Sequence, residues 1–414
     1  MRLLHTSDWH LGRPFHGASL LGDQAAAMDR IVALAAEAEV DAVLIAGDIY
    51  DRAIPPADAV QLFTDTLARL RAAGAAVVAI AGNHDSHVRV SVYDPLLSAF
   101  GVTIRGDVRR AAEPVLVSPR RGGDPVAIYP LPYLEPAVDG PALEATEAPK
   151  PDEAPATAAA GAGPGRSRLS HQAVTRLAVE HLRHHHHNTI NNRRRSGGSR
   201  TVLVAHTFVA GGASSESERE LTVGNVDRVS VDTFAGFDYV ALGHLHGSQQ
   251  LDGPRLAYAG TPLPYSFSEQ HHTKSVRIVE LAADGSPEVE IVPLGVGRPL
   301  RTLEGRLEEL CRDPRLEGAA AAWLRVLLTD ETLPLQAMAR LRQRFPHVAE
   351  LRHRPPAHGA AASAGGRQEQ VRRAASPLDL GLAFFADQQG RPADPAEAEL
   401  LRQALEAAGR GEER

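Results

Sequence analysis

The first hundred residues alternate short apolar runs with apolar residues at helical spacing, an order typical of parallel α/β sheets. Apolar runs at residues 2–6, 41–46 and 75–81 predict three buried strands, separated by predicted helices at 25–38 and 56–73. Each predicted strand ends in polar residues. Because the carboxyl ends of parallel strands meet at one edge of a sheet, we expect a site at that edge.

The same alternation returns in the second half of the chain. Four further strands are predicted at residues 201–205, 239–242, 274–281 and 289–292. Residues 298–355 alternate helix and strand patterns, which suits a small α/β capping domain whose clearest strand is 323–328. Two amphipathic helices are predicted at 378–386 and 396–407, so the chain should end in a helical pair.

Low-complexity stretches divide these elements. Residues 135–168, rich in Ala, Pro, Glu and Gly, and the polar residues 184–200 are expected to be disordered insertions on either side of a helix capped by Ser170. The run His184–His187 has no carboxylate partner, which favours a solvated loop over a metal site. The predicted organisation is a main domain at 1–297, a capping domain at 298–355, a linker at 356–376 and terminal helices at 377–414.

Composition narrows the class of protein only modestly. The chain has 414 residues, 43% of them hydrophobic, and a net charge of −7, which neither requires nor excludes nucleic-acid binding because local patches decide it. No apolar run reaches about 18 residues, and the N-terminus lacks a signal-peptide pattern, so we expect no membrane span. Cys311 is the only cysteine, which excludes an internal disulfide and fits the reducing cytoplasm.

Five short polar motifs follow predicted strands. They are Asp8-Trp9-His10, Gly47-Asp48, Gly82-Asn83-His84-Asp85, His206 and Gly243-His244-Leu245-His246. Each alone is weak, since a strand-end Asp is usually a turn and a single His, such as His5 inside the first strand, is usually a core residue. Together they supply carboxylate, imidazole and amide ligands for two divalent cations.

Phosphodiester hydrolysis would explain these residue types. Two cations about 3.5–4 Å apart can activate a water and stabilise negative charge on a phosphoryl group, and a shared carboxylate can bridge them. Asp48, at the middle strand end, is the natural bridge. The glycines at 47, 82 and 243 are expected to let the backbone turn sharply towards the site.

The order of these motifs resembles the calcineurin-like metallophosphoesterase superfamily. Within it, the segments that are similar to the SbcD nuclease family are Leu4–Gly12, Gly47–Asp51, Phe208–Gly212, Ser215–Arg219, Asp238–His246, Tyr258–Glu269 and Leu378–Leu405. The resemblance covers most of the chain except residues 135–200 and 356–376. It implies a four-layer α/β sandwich, two mixed sheets flanked by helices, with a capping domain and C-terminal helices.

The resemblance also implies roles for single residues. One metal would take Asp8, His10, Asp48 and His246, and the second would take Asp48, Asn83, His206 and His244, with manganese as the family's metal. His84 would act beside the phosphate without binding metal, and Asp85 is expected to orient it. Asp51 stands where archaeal relatives carry a substrate-facing histidine, and its role stays open.

The function implied is that of a DNA nuclease in a complex with an SbcC-type coiled-coil ATPase. Its expected activities are ATP-dependent 3'–5' double-strand exonuclease and single-strand or hairpin endonuclease action, as a homodimer within a heterotetramer. A phosphoesterase acting on small molecules or proteins is the alternative. Its serine/threonine phosphatase branch is disfavoured, because Ala53 follows Asp51-Arg52 and Asp85 follows His84. A non-catalytic scaffold is disfavoured because every site position is intact.

Overall fold

The computed structural model describes residues 1–147, 169–187, 200–218, 228–356, 376–389 and 391–409. They form two compact units. The larger contains Met1–Leu303, Cys311–Val326 and Met338–Leu351, and the smaller contains Glu304–Leu310, Leu327–Ala337 and the described part of Arg352–Arg414. Within the described ranges, every helix is too short or too polar to cross a lipid bilayer.

Two six-stranded sheets make up most of the larger unit. The strands of the first are β1 (Arg2–Thr6), β4 (Ala42–Ile45), β5 (Ala76–Ile80), β6 (Val102–Arg105), β13 (Ser275–Leu281) and β14 (Pro287–Pro293). Their order is β14-β13-β1-β4-β5-β6. Strands β1, β4, β5 and β6 run parallel, and β13 pairs with β1 in the antiparallel sense. A small hairpin, β2 (Pro14–Phe15) and β3 (Ala18–Ser19), follows β1.

The second sheet is mixed in the same way. Its strands are β7 (Val115–Val117), β8 (Val126–Leu131), β9 (Thr201–His206), β10 (Tyr239–Gly243), β11 (Gln249–Asp252) and β12 (Leu256–Tyr258), in the order β11-β12-β10-β9-β8-β7. Its central strands β8, β9, β10 and β12 are parallel, and both edge strands are antiparallel.

Three apolar layers hold this unit together. Alternate strand residues, among them Leu44 of the first sheet and Val204 of the second, form a core between the two sheets. Because neighbouring strand residues point to opposite faces, Val43 and Ile45 face outward, where α1 (Leu21–Glu37) and α2 (Ala57–Ala72) cover the first sheet. The helix α6 (His171–His185) covers the second sheet. The result is the helix–sheet–sheet–helix order that was expected.

The remaining helices are α3 (His87–Ser91), α4 (Asp94–Leu97), α5 (Pro136–Glu147), α7 (Leu307–Arg312), α8 (Ala337–Arg344), α9 (Pro377–Gln389) and α10 (Pro395–Gly409). A three-stranded sheet has the order β15 (Leu300–Gly305), β16 (Trp323–Leu328) and β17 (Val348–His353), and β16 coincides with the strand predicted there. Helices α9 and α10 pack on each other, with Gly381 in close contact with Leu401.

The predicted disorder of the two insertions is wrong for the parts of them that the structure describes. Residues 136–147 form α5, and Leu143 on this helix is 3% exposed in the core under the second sheet. Helix α6 extends to His185, and Nδ1 of His186 lies 2.8 Å from the hydroxyl of Tyr129, so the histidine run is helical and packed at its start. Residues 148–168, 188–199 and 357–375 lie outside the described residues.

Candidate metal centre

The predicted ligands lie where strands of both sheets end. The loops after β1 and β4 run side by side, because Asp8 N–H donates to the Gly47 carbonyl and His10 N–H to the Asp48 carbonyl, both at 3.0 Å. In the second sheet, Gly243 is the register partner of His206. The predicted meeting of strand ends at one edge is confirmed, and it extends across both sheets.

Four of these ligands have unusual backbone conformations. The φ angles are +52° at Asp8, +44° at His10, +46° at Asp48 and +105° at His244. Non-glycine residues seldom adopt positive φ, and each such position costs on the order of 1–3 kcal/mol. Strain of this kind persists when the surrounding fold holds it, and it clusters at functional sites.

The three motif glycines are required for two different reasons. Gly47 has a φ of +87° and makes the expected turn. Gly82 and Gly243 do not have positive φ. A Cβ on Gly82 would lie 2.1 Å from Oδ1 of Asp48, and one on Gly243 would lie 1.8 Å from the carbonyl oxygen of Ala46. For these two, the expected sharp turn is wrong, because close approach of neighbouring loops is what excludes a side chain.

The ligand side chains converge on Asp48. Its Oδ2 lies 3.7 Å from Nε2 of His10, 3.6 Å from Nε2 of His206 and 4.0 Å from Nε2 of His84. Groups of three potential ligand atoms within 4.8 Å of one another are Asp8, His10 and His246; His10, Asp48 and His84; and Asp8, Asp48 and His206.

Asn83 and His244 join the cluster from the other side. The amide oxygen of Asn83 lies 2.9 Å from Nε2 of His206 and 3.2 Å from Nδ1 of His244. All seven predicted metal ligands are therefore brought together. Two carboxylates, an amide oxygen and four imidazoles form a donor set suited to hard or borderline divalent ions.

The electrostatics of the cluster also fit cations. Burial lowers the pKa of His10, His206 and His244, so their rings are neutral and present lone pairs. Burial, with the neighbouring Asp48 carboxylate, raises the pKa of Asp8 well above its ordinary range. A buried cluster of carboxylates is unfavourable unless positive charge compensates it, and divalent ions would supply that charge.

His84 and Asp85 are held differently from the expectation. Nδ1 of His84 lies 2.9 Å from the carbonyl oxygen of Asp51. The Asp85 carboxylate instead accepts backbone N–H groups of Gly82, Ile49 and Tyr50 at 2.9–3.0 Å. The expectation that Asp85 orients His84 was wrong, because these three N–H groups satisfy its carboxylate and join the loops after β4 and β5.

His5 is a core residue, as predicted. Its side chain is fully buried, with Nδ1 2.9 Å from the Tyr239 hydroxyl and Nε2 3.1 Å from the Leu242 carbonyl oxygen. The carbonyl can only accept, so Nε2 carries the ring proton. Both ring nitrogens are used, which leaves none for a metal.

Sequence reasoning assigned no role to the side chains that surround His246. His246 is contacted directly by Ser217, Glu218 and Lys274. Glu269 is linked to it through Ser217. The only signal was that Ser215–Arg219 and Tyr258–Glu269 resemble family segments without being metal motifs.

The fold and the cluster together define a calcineurin-like metallophosphoesterase, a class that binds divalent metal ions. The family model described as calcineurin-like phosphoesterase matches residues 1–132. A second model, described as type 5 capsule protein repressor C-terminal domain and named SbcD_C, matches residues 296–389.

Whole-chain relatives narrow the class further. The SbcD subunit of the SbcCD nuclease from Bacillus subtilis is 32% identical over 360 residues, covering 85% of each chain. The subunits of the same name from Staphylococcus saprophyticus and Escherichia coli are each 29% identical, covering 85% and 80% of this chain and 84% and 79% of theirs. The chain belongs to the SbcD family of SbcCD nuclease subunits.

Proposed function

We propose that the chain is the DNA nuclease subunit of an SbcCD-type complex, hydrolysing phosphodiester bonds with two manganese ions. The observation that carries this proposal is the clustering of seven carboxylate, amide and imidazole ligands, Asp48 among them, in a chain of this family. The partner would be an SbcC-type coiled-coil ATPase. Its ATP hydrolysis would support 3'–5' digestion of double strands, whereas single strands and hairpins would be cut endonucleolytically.

The proposed ligand sets share one carboxylate. Asp8, His10 and His246 would hold one ion and Asn83, His206 and His244 the other, with Asp48 between them. Two divalent ions held by these residues would supply a nucleophile at neutral pH and neutralise charge on the phosphoryl oxygens. The neutral, buried imidazoles support this assignment, since a metal ligand must offer a lone pair.

His84 would act on the substrate. A carbonyl can only accept, so Nδ1 of His84 carries a proton that it donates to Asp51, and Nε2 is left facing Asp48 Oδ2 at 4.0 Å. Only the protonated ring can donate from Nε2. In that form His84 would stabilise a phosphate oxygen or protonate the leaving oxygen.

Incubation with labelled hairpin DNA tests the proposed reaction. The purified full chain is mixed with Mn²⁺ and hairpin or single-stranded DNA, with and without the SbcC-type ATPase and ATP. We expect Mn²⁺-dependent cleavage that chelator abolishes, and double-strand digestion only when ATPase and ATP are added. Hydrolysis of a phosphomonoester such as p-nitrophenyl phosphate, with all DNA left intact, would favour the small-molecule alternative instead.

A second copy of the chain is the proposed partner of an exposed apolar surface formed by α3, α4 and the residues next to them. Five large apolar side chains that are at least 56% exposed lie within thirteen residues: Val88, Val92, Tyr93, Leu96 and Phe100. Exposed apolar surface this dense marks an interaction site, and twofold pairing would let each copy cover the other. Sedimentation tests this: Tyr93→Asp with Leu96→Asp should give monomers, whereas Leu116→Asp, exposed elsewhere, should remain dimeric.

A further inference from the structure

Both ring nitrogens of His246 have partners. Nε2 lies 3.2 Å from Nε2 of His10, inside the proposed metal site. Nδ1 lies 2.5 Å from the hydroxyl oxygen of Ser217, which is 8% exposed. The proton on the ring therefore has two possible positions, and only one of them leaves Nε2 free to bind a metal.

The contacts continue from Ser217 to a buried ion pair. The Ser217 hydroxyl hydrogen-bonds to the carboxylate of Glu269, which is 1% exposed and pairs with the ammonium group of Lys274. Lys274 is one of only two lysines in the chain. Its other two donors reach the His246 carbonyl at 3.0 Å and the Thr261 hydroxyl at 2.7 Å, so all three ammonium protons are used.

These contacts fix the direction of each hydrogen bond. An ionised carboxylate can only accept, so the single Ser217 hydroxyl proton points to Glu269. The Ser217 oxygen must then accept from His246, which places the ring proton on Nδ1 and the lone pair on Nε2. The main chain of His246 is held as well, because its N–H donates to Glu218 at 2.8 Å.

We propose that Lys274, Glu269 and Ser217 form a positioning relay that sets the tautomer and ring orientation of His246. The relay would tune the affinity of the one metal site that contains His246 and leave the other site unchanged. The proposal rests on the metal assignment made above. Mutation of a residue that hydrogen-bonds to a metal-binding histidine typically lowers metal affinity by about 10–100-fold. We expect mutations in the relay to act within that range.

Manganese titration of the full-length chain tests this selectivity. Binding of Mn²⁺ is followed by calorimetry and by the electron paramagnetic resonance of free Mn²⁺. Ser217→Ala should bind one ion as the wild type does and the other about 10–100-fold more weakly. Ser268→Ala is the matched control, because the hydroxyl of the exposed Ser268 contacts Glu216 and Ser266, which lie outside the relay, and both ions should bind normally. Equal weakening of both ions, or none, in Ser217→Ala would overturn the relay.

A second measurement needs no metal and is read from the wild-type protein. The ¹⁵N shifts of labelled histidine in the metal-free wild type report which ring nitrogen carries the proton, and His246→Gln identifies the His246 signals. We expect protonation at Nδ1, and protonation at Nε2 would overturn the relay. If the wild type bound no Mn²⁺ while Nδ1 were protonated, the metal assignment would fail and the relay geometry would stand.

Discussion

Nδ1 of His84 lies 2.9 Å from the carbonyl oxygen of Asp51, so the main chain of a neighbouring loop fixes the imidazole. The side chain of Asp51 points elsewhere, 3.6 Å from Nε of Arg13 and 3.9 Å from Nδ1 of His10. The orientation of His84 therefore depends on the path of the loop and not on the chemical nature of residue 51.

Replacing His84 should separate cleavage from metal binding. We expect His84→Ala to retain both metal ions and to lose roughly 10²–10⁴-fold in the rate of DNA cleavage, the usual contribution of a positioned acid. Elemental analysis of metal per chain, alongside hairpin cleavage, measures both properties. His87→Ala, an exposed histidine three residues away, is the control and should be fully active. A metal-free His84→Ala protein would show that His84 is a ligand.

Replacing Asp48 should remove metal and activity together. Asp48→Asn can still accept the His84 N–H, which lies 2.9 Å from Oδ1, but it lacks the charge needed between two cations. Ligand binding stabilises the folded state by about 2.7 kcal/mol at 100 times the dissociation constant. Mn²⁺ should therefore raise the melting temperature of the wild type and of Asp58→Asn, an exposed control, but not of Asp48→Asn. A normal Mn²⁺ shift in Asp48→Asn would contradict the bridging role.

The metal ligands were predictable because each motif is local and follows a strand. Parallel strands bring their carboxyl ends to one edge whatever else the chain does, so Asp8, Asp48 and Asn83 had to meet. The partner of Asp85 was not predictable. Its neighbour along the chain is His84, but three backbone N–H groups lie closer to its carboxylate in the folded chain.

A sequence pattern does not show which distant residues pack closely in the folded chain. Gly82 is needed because Asp48 occupies the space of its Cβ, a contact between residues 34 positions apart in the chain. The reach of Lys274 to His246 likewise depends on where β13 begins relative to β10. Helix α5 was missed because an Ala-, Pro- and Glu-rich composition is typical of a disordered insertion, although the buried side chain of Leu143 anchors this helix.

The stability of the metal-free protein should depend on His5 at acid pH. Burial, with the neighbouring Arg277 charge, lowers the pKa of His5 to about 3, whereas an unfolded histidine titrates near about 6.5. The unfolded chain therefore takes up a proton first, and the contribution of His5 is complete above the unfolded pKa and falls as the pH drops towards 3. Between pH 6.5 and 4.5 the free energy of unfolding should fall by about 2–3 kcal/mol, because each pH unit contributes about 1.4 kcal/mol.

Urea unfolding in the presence of a chelator, at pH 7.5 and 4.5, measures how much stability is lost on acidification. Comparing the wild type with His5→Gln isolates the contribution of His5. His5→Gln should lose about 2 kcal/mol less on acidification than the wild type, because the titrating group is gone. His87→Gln, at an exposed position, should behave as the wild type does. Identical acid losses in wild type and His5→Gln would contradict the buried neutral ring.

Helix α5 should contribute measurably to stability. Leu143→Ala removes a side chain that is 3% exposed and should lower the free energy of unfolding by about 2–5 kcal/mol. Val138→Ala, on the same helix but 62% exposed, should change it by less than about 0.5 kcal/mol. Urea titration compares the two. A Leu143→Ala protein as stable as the wild type would mean that α5 behaves as the disordered insertion first expected.

The C-terminal helices are expected to form the binding surface for the ATPase. Leu380 and Phe384 on α9 and Leu400 on α10 are 43%, 66% and 66% exposed, although the two helices pack on each other around Gly381. An apolar helix face of this kind is the surface that helix-in-groove docking uses.

Truncation after residue 373 should abolish co-purification with the SbcC-type ATPase and leave Mn²⁺-dependent cleavage of single strands intact. Phe384→Asp should weaken the association, whereas Gln403→Ala, at an exposed polar position, should not. A truncated protein with a lowered melting temperature that still binds the ATPase would assign these helices to stability instead.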